Sequence, residues 1–225
     1  MRHILSALTT AFSLAAAPAI AWNTPPGHCL LGATETAMII QAATLVAPLE
    51  ILPERISAPC AAIAEAHANR QAMLTDVPFV VFGRPAILET IAAPMGQDAI
   101  RQWSTHFRPH AEKSLADAWP EASEALLTGW RRAMARGDGG ALAAALEARA
   151  ATTPPASAYA VVLAEGDEEM RFLIEDIQTS LRMGVRVHLD AGRMAWSVIV
   201  TPGLPDPHPL ASLLALMDAE AAANR

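Results

Sequence analysis

Two alternating runs near the C-terminus, Val185 to Asp190 and Met194 to Val200, constrain the fold more than any other feature of this 225-residue chain. In the first, Val185, Val187 and Leu189 alternate with Arg186, His188 and Asp190. In the second, Met194, Trp196, Val198 and Val200 fall on one face. A period of two is the signature of a half-buried strand. If Leu189 sits opposite Met194, then Val187 meets Trp196, Val185 meets Val198, and every large apolar side chain lies on one face. A slip of one residue would turn Trp196 to the polar side, so the pattern predicts a β-hairpin of defined register. Asp190 and Arg193 then face each other beside an Ala191-Gly192 turn.

Upstream, Tyr159 to Ala164 (YAVVLA) is a continuous apolar run and reads as an interior strand. After it, Asp167 is placed to cap a helix with Glu168 and Glu169 in its first turn. Met170, Leu173, Ile174, Ile177 and Leu181 recur at helical spacing, and Gly184 stands where a helix would end. Strand, helix and strand in that order predict a right-handed parallel βαβ unit. Residues 201–209 (TPGLPDPHP) carry four prolines and read as a stiff connector, and Leu210, Leu213, Leu214 and Met217 form the apolar stripe of a last helix.

The N-terminal part reads as mainly helical. Residues 30–47 are apolar on all sides and end at Pro48; residues 57–74 form a second helical stretch. Val77 to Phe82 (VPFVVF) is a short strand. From 86 to 151 the pattern is helical, with Ile100, Trp103, Phe107, Ala111 and Leu115 on one stripe. Pro109 is expected to kink or split that helix, Trp119-Pro120 marks the next boundary, and residues 137–140 are a turn. These elements predict an α+β fold, helix-rich, with a small mixed sheet (a βαβ unit plus the C-terminal β-hairpin) covered by helices. Residues 22–151 are the mainly helical region with one strand. Residues 152–225 form a βαββα region that packs on it, giving one composite domain.

Residues 1–21 read as a cleavable signal peptide: Met1-Arg2-His3 is basic, Ile4 to Ala17 is apolar or small, and Ala19-Ile20-Ala21 offers a small-x-small cleavage site. The apolar stretch falls short of the roughly 20 residues of a membrane span. A periplasmic or secreted location and a bacterial origin are therefore expected, with no transmembrane segment in the mature chain. Cys29 and Cys60 are the only cysteines, and in an oxidising compartment the pair predicts a disulfide bond. The net charge of −7 becomes −8 once Arg2 is removed, which disfavours nucleic acid as a partner.

Two groups of side chains could carry chemistry. His188, Asp190 and Ser197 share the polar face of the hairpin and suggest a nucleophilic hydrolase, although no Gly-x-Ser-x-Gly elbow surrounds Ser197. His106 and His110 are four residues apart and would share a helix face, where they could chelate a metal. Pro109 between them disturbs that geometry, and a third ligand would have to come from Glu112, Asp117, Glu65 or His67. No phosphate loop, dinucleotide fingerprint, His-Glu-x-x-His or calcium loop occurs, so no cofactor is expected. The expected function is that of an exported soluble protein, a non-enzymatic binding or envelope-associated module with a protein or small-molecule partner. The alternative is a hydrolase or metal-dependent enzyme using His188, Asp190 and Ser197, or His106 and His110.

Overall fold

The computed structural model describes residues 22–69, 77–85, 96–176, 181–201 and 210–224. The expected leader and residues 202–209 of the expected connector lie outside them.

The hairpin forms in the predicted register. β6 (Leu181–Asp190) pairs with β7 (Arg193–Thr201), with Leu189 opposite Met194, Val187 opposite Trp196, Val185 opposite Val198 and Asp190 opposite Arg193. Ala191 and Gly192 both take positive φ, 50° and 77°. Two left-handed residues in succession make a turn whose twist suits the strands it joins.

The sheet around this hairpin is not the small mixed sheet predicted. It has seven strands in the order β1-β2-β3-β7-β6-β5-β4, and every neighbouring pair is antiparallel. Its first three strands are β1 (His28–Leu30), β2 (Ile51–Pro59) and β3 (Phe79–Pro85). β4 (Tyr159–Glu165) and β5 (Glu169–Asp176) form the other end. Strands from both halves of the chain thus share one sheet.

The largest correction concerns the helix expected after Asp167. Its described part is β5 and the start of β6; Ile177 lies outside the described residues. Met170, Leu173 and Ile174 do repeat at helical spacing, but Phe172 does not, since a helix would turn it about 200° away from Met170. In the strand, Met170 and Phe172 share one face and Leu173 lies on the other, and all three are fully buried. A sheet covered on both faces loses the alternation that marks a strand. Gly184 accordingly lies inside β6 rather than at a helix end. A Cβ there would approach Met217 Sδ to 2.5 Å and Leu213 Cδ1 to 3.4 Å, so glycine lets the last helix, α6, lie close on that face.

Six helices accompany the sheet among the described residues. α1 (Thr36–Val46) packs over β2, β3 and β7, and α2 (Cys60–Ala68) follows β2 directly. The two expected N-terminal helices therefore start later than predicted. β1 takes the residues before the first, and β2, masked in the sequence by Pro53, Glu54, Arg55 and Pro59, takes those before the second. α3 (Gln97–Ala118) crosses β4 to β7, α4 (Ser123–Arg136) and α5 (Gly139–Thr152) follow, and α6 spans Leu210–Ala223. α3 runs unbroken through Pro109. That proline is exposed, so the helix gives up one hydrogen bond on its solvent side.

On the α3 side of the sheet, Trp103 stacks on Phe107 (4.6 Å between ring centres) and Phe172 (5.4 Å) and meets Trp196 edge-on at 5.0 Å. The outer edge of β4 is closed by helices. Trp130 Nε1 donates to the Val162 carbonyl at 3.0 Å, and Ala160 N donates to Ser114 Oγ at 3.0 Å. Such edge groups would otherwise invite pairing with another chain. The Cys29–Cys60 disulfide is formed, with 4.9 Å between the Cα atoms, and ties β1 to the first turn of α2. No helix among the described residues is long and apolar enough to cross a membrane.

Candidate functional site

The hairpin face opposite Trp196 carries Arg186, His188 and Ser197, and the chain buries all three. They are 6 %, 4 % and 2 % exposed. The cover is α6, brought down by the close approach at Gly184, together with Trp22, which stacks on Phe82 at 5.4 Å. From α6, Glu220 reaches into the centre of the cluster and is 1 % exposed.

Glu220 organises the cluster. Its Oε1 accepts from Ser197 Oγ (2.6 Å), Trp22 Nε1 (3.1 Å) and Asn224 Nδ2 (3.1 Å), and its Oε2 accepts from Arg186 Nη1 (3.2 Å). Arg186 also donates through Nε to Glu169 Oε2 at 2.8 Å, and Arg171 joins Glu169 (2.8 Å) to Asp218 (2.6 Å) at the surface. The chain of charges thus runs from solvent to the buried carboxylate with every member paired. This arrangement offsets the desolvation of Glu220.

Titration follows the same environment. Burial and the nearby Arg186 charge push the His188 imidazole below the ordinary histidine value, against the opposing pull of Glu220 and Asp190. Burial alone would raise Glu169. The hydrogen bond from Arg186 and the charges of Arg171 and Arg186 outweigh it and hold the carboxylate below its ordinary range.

The order of the contacts decides what this group can do chemically. In a nucleophilic triad, histidine stands between the serine and the acid and takes the serine proton. Here serine stands between histidine and the acid. Ser197 has one proton and donates it to Glu220. Its oxygen also lies 3.2 Å from His188 Nε2, and the imidazole makes a further hydrogen bond to the Leu189 backbone. Asp190, the acid expected to complete the group, instead pairs with Arg84 Nη2 at 2.7 Å, and Arg84 Nε continues to Glu54 at 3.1 Å.

Sequence reasoning found His188 and Ser197 but missed Glu220 and Trp22. A signal for Glu220 was present: it follows Leu213 by seven residues and Met217 by three, which places a carboxylate on the apolar stripe of the helix. Trp22 gave none, because it precedes the first regular element. A second buried network, Tyr159 Oη to Glu175 Oε2 (2.8 Å), Glu175 to Arg182 (3.0 Å) and Arg182 to Glu147 (3.1 Å), was hidden by the helical reading of residues 167–184. Burial and the adjacent Glu175 charge push the Tyr159 hydroxyl far above its usual range. Glu147 also accepts from the backbone N–H of Leu210 at 3.2 Å, holding the start of α6 as Glu220 holds its end.

His106 and His110 both lie on α3, exposed, with ring centres 5.3 Å apart. Of the third ligands considered, Glu112 pairs with Arg131 at 2.9 Å, Asp117 with Lys113, and His67 with Glu35 at 2.8 Å. Among the described residues, no group of three or more His, Cys, Asp or Glu side chains is set to hold a metal. No family model and no curated protein matches this chain.

Proposed function

We propose that this chain is an exported, non-catalytic binding or envelope-associated protein, folding as one composite domain once residues 1–21 are removed, and engaging a protein or small-molecule partner through its outer surface. The observation that carries the non-catalytic part is the burial of Ser197, His188 and Glu220, which are 2 %, 4 % and 1 % exposed. Ser197 Oγ lies 2.6 Å from Glu220 beneath α6, out of reach of solvent, so this Ser/His/acid grouping serves to fasten a helix to the sheet. Export is supported by the leader pattern and by the Cys29–Cys60 bond, which an oxidising compartment maintains.

Two measurements on the native product test this reading. Intact-mass analysis of the periplasmic fraction is expected to give the chain from Trp22 with both sulfurs oxidised; a full-length reduced cytosolic product would contradict export. Incubation with a fluorophosphonate probe and p-nitrophenyl esters is expected to leave Ser197 unlabelled and the esters intact. Stoichiometric labelling of Ser197, abolished in Ser197→Ala, would establish the hydrolase alternative instead.

A further inference from the structure

The geometry points to a surface chelate for a zinc-type divalent ion at His106 and His110, with the two imidazoles as ligands and the remaining coordination positions open. In the sequence, Pro109 between the two histidines is expected to kink or split the helix and so disturb that geometry. α3 is continuous from Gln97 to Ala118, so the i and i+4 positions stay on one face. The ring spacing then fits. With a metal–nitrogen distance of about 2.0–2.1 Å, each ring centre lies roughly 3.2 Å from the ion, and at a tetrahedral angle two such centres are roughly 5.2 Å apart. The observed separation is 5.3 Å.

Three neighbouring features favour a cation here. Pro109 has no N–H, so the Thr105 carbonyl, one peptide before His106, loses its helical donor and remains an oxygen acceptor. Gln102 lies one turn before His106 on the same stripe, and an open depression of about 550 Å³ runs from His106 toward the start of α3, lined by Thr105, Gln102, Arg101 and Asp98 and not by His110. The adjacent cations are each held by carboxylates: Arg101 by Asp98 and Asp167, Arg108 by Glu112 and Glu165, and Lys113 by Asp117. Two ligands alone make an open site, in which water or a donor from a second molecule completes the shell.

The test is titration of zinc chloride into the full exported chain with its disulfide intact, followed calorimetrically, with magnesium chloride as the hard-cation control. One zinc per chain is expected and no magnesium heat. His106→Gln and His110→Gln are each expected to weaken zinc binding at least tenfold, and zinc is expected to raise the thermal midpoint of the native chain but not of either variant. Both side chains are exposed, and circular dichroism of the variants checks that they fold. Zinc binding that is absent in the native chain, unchanged in the double variant, or lost in only one of the two single variants would overturn the chelate.

Discussion

Replacing Glu220 probes the link between the cluster and the fold most sharply. Glu220→Ala removes one carboxylate and deprives four donors at once: Ser197, Trp22, Asn224 and Arg186. Arg186 keeps Glu169, so one of its two anionic partners survives. Breaking a buried pair from one side costs about 3–5 kcal/mol. Solvent screening gives no relief, because Glu220 is 1 % exposed and Arg186 6 % exposed. Glu220→Gln keeps an oxygen for the Oε1 donors but turns an amide donor toward Arg186. The expected cost is that of one charge-assisted hydrogen bond, about 1.5–3 kcal/mol. Asp218→Ala, on the same helix and 74 % exposed, removes only a surface partner of Arg171 and is expected to cost under about 1 kcal/mol. Urea denaturation of the three variants at neutral pH measures this order. A loss of less than about 1 kcal/mol for Glu220→Ala, or one no larger than for Asp218→Ala, would refute the reasoning.

Other perturbations separate the remaining contributions. Cys29→Ser with Cys60→Ser opens a loop of sequence separation 31 and is expected to cost about 3.5 kcal/mol in the chain-entropy model, read as a shift in the urea midpoint. Stability is expected to fall with acidification in two steps. His188 binds its proton less readily folded than unfolded, so between the ordinary value of 6.5 and its lowered folded value each pH unit removes up to about 1.4 kcal/mol. Below about 4.5, protonation of the paired Glu169 carboxylate adds a further loss. His188→Asn should flatten only the first step, and an unchanged pH profile would count against a buried neutral imidazole. Ala191→Gly relieves a non-glycine residue at φ 50° and is expected to stabilise by about 1 kcal/mol, measured as a rise in thermal midpoint.

The parts of the fold that were legible in the sequence were those governed by local rules. The hairpin register followed from a period of two and a short turn, and the cysteine pair followed from its count. Tyr159 to Ala164 was legible as a strand because an apolar run of that length has few alternatives, but its expected interior place was wrong: it is the edge strand β4, whose apolar run reflects the helices that cover it. β5 was not legible, because it is buried on both faces, so its strand alternation is lost while Met170, Leu173 and Ile174 fall at helical spacing. β2 was concealed by prolines and charges that an edge-side strand tolerates. The site was half legible for a related reason. Side-chain alternation put His188 and Ser197 on one face, whereas Glu220 and Trp22 arrive through a tertiary contact spanning 198 residues, which no local pattern encodes.

Hydrogen-exchange mass spectrometry of the native chain and Glu220→Gln at neutral pH addresses the central claim, that this buried carboxylate fastens α6 and Trp22 to the hairpin. Faster exchange is expected in α6 and in residues 22–24 together, with β6 and β7 still protected by their own ladder. Unchanged protection of α6 in the variant would show that the helix is held by its apolar stripe alone and would contradict the latch.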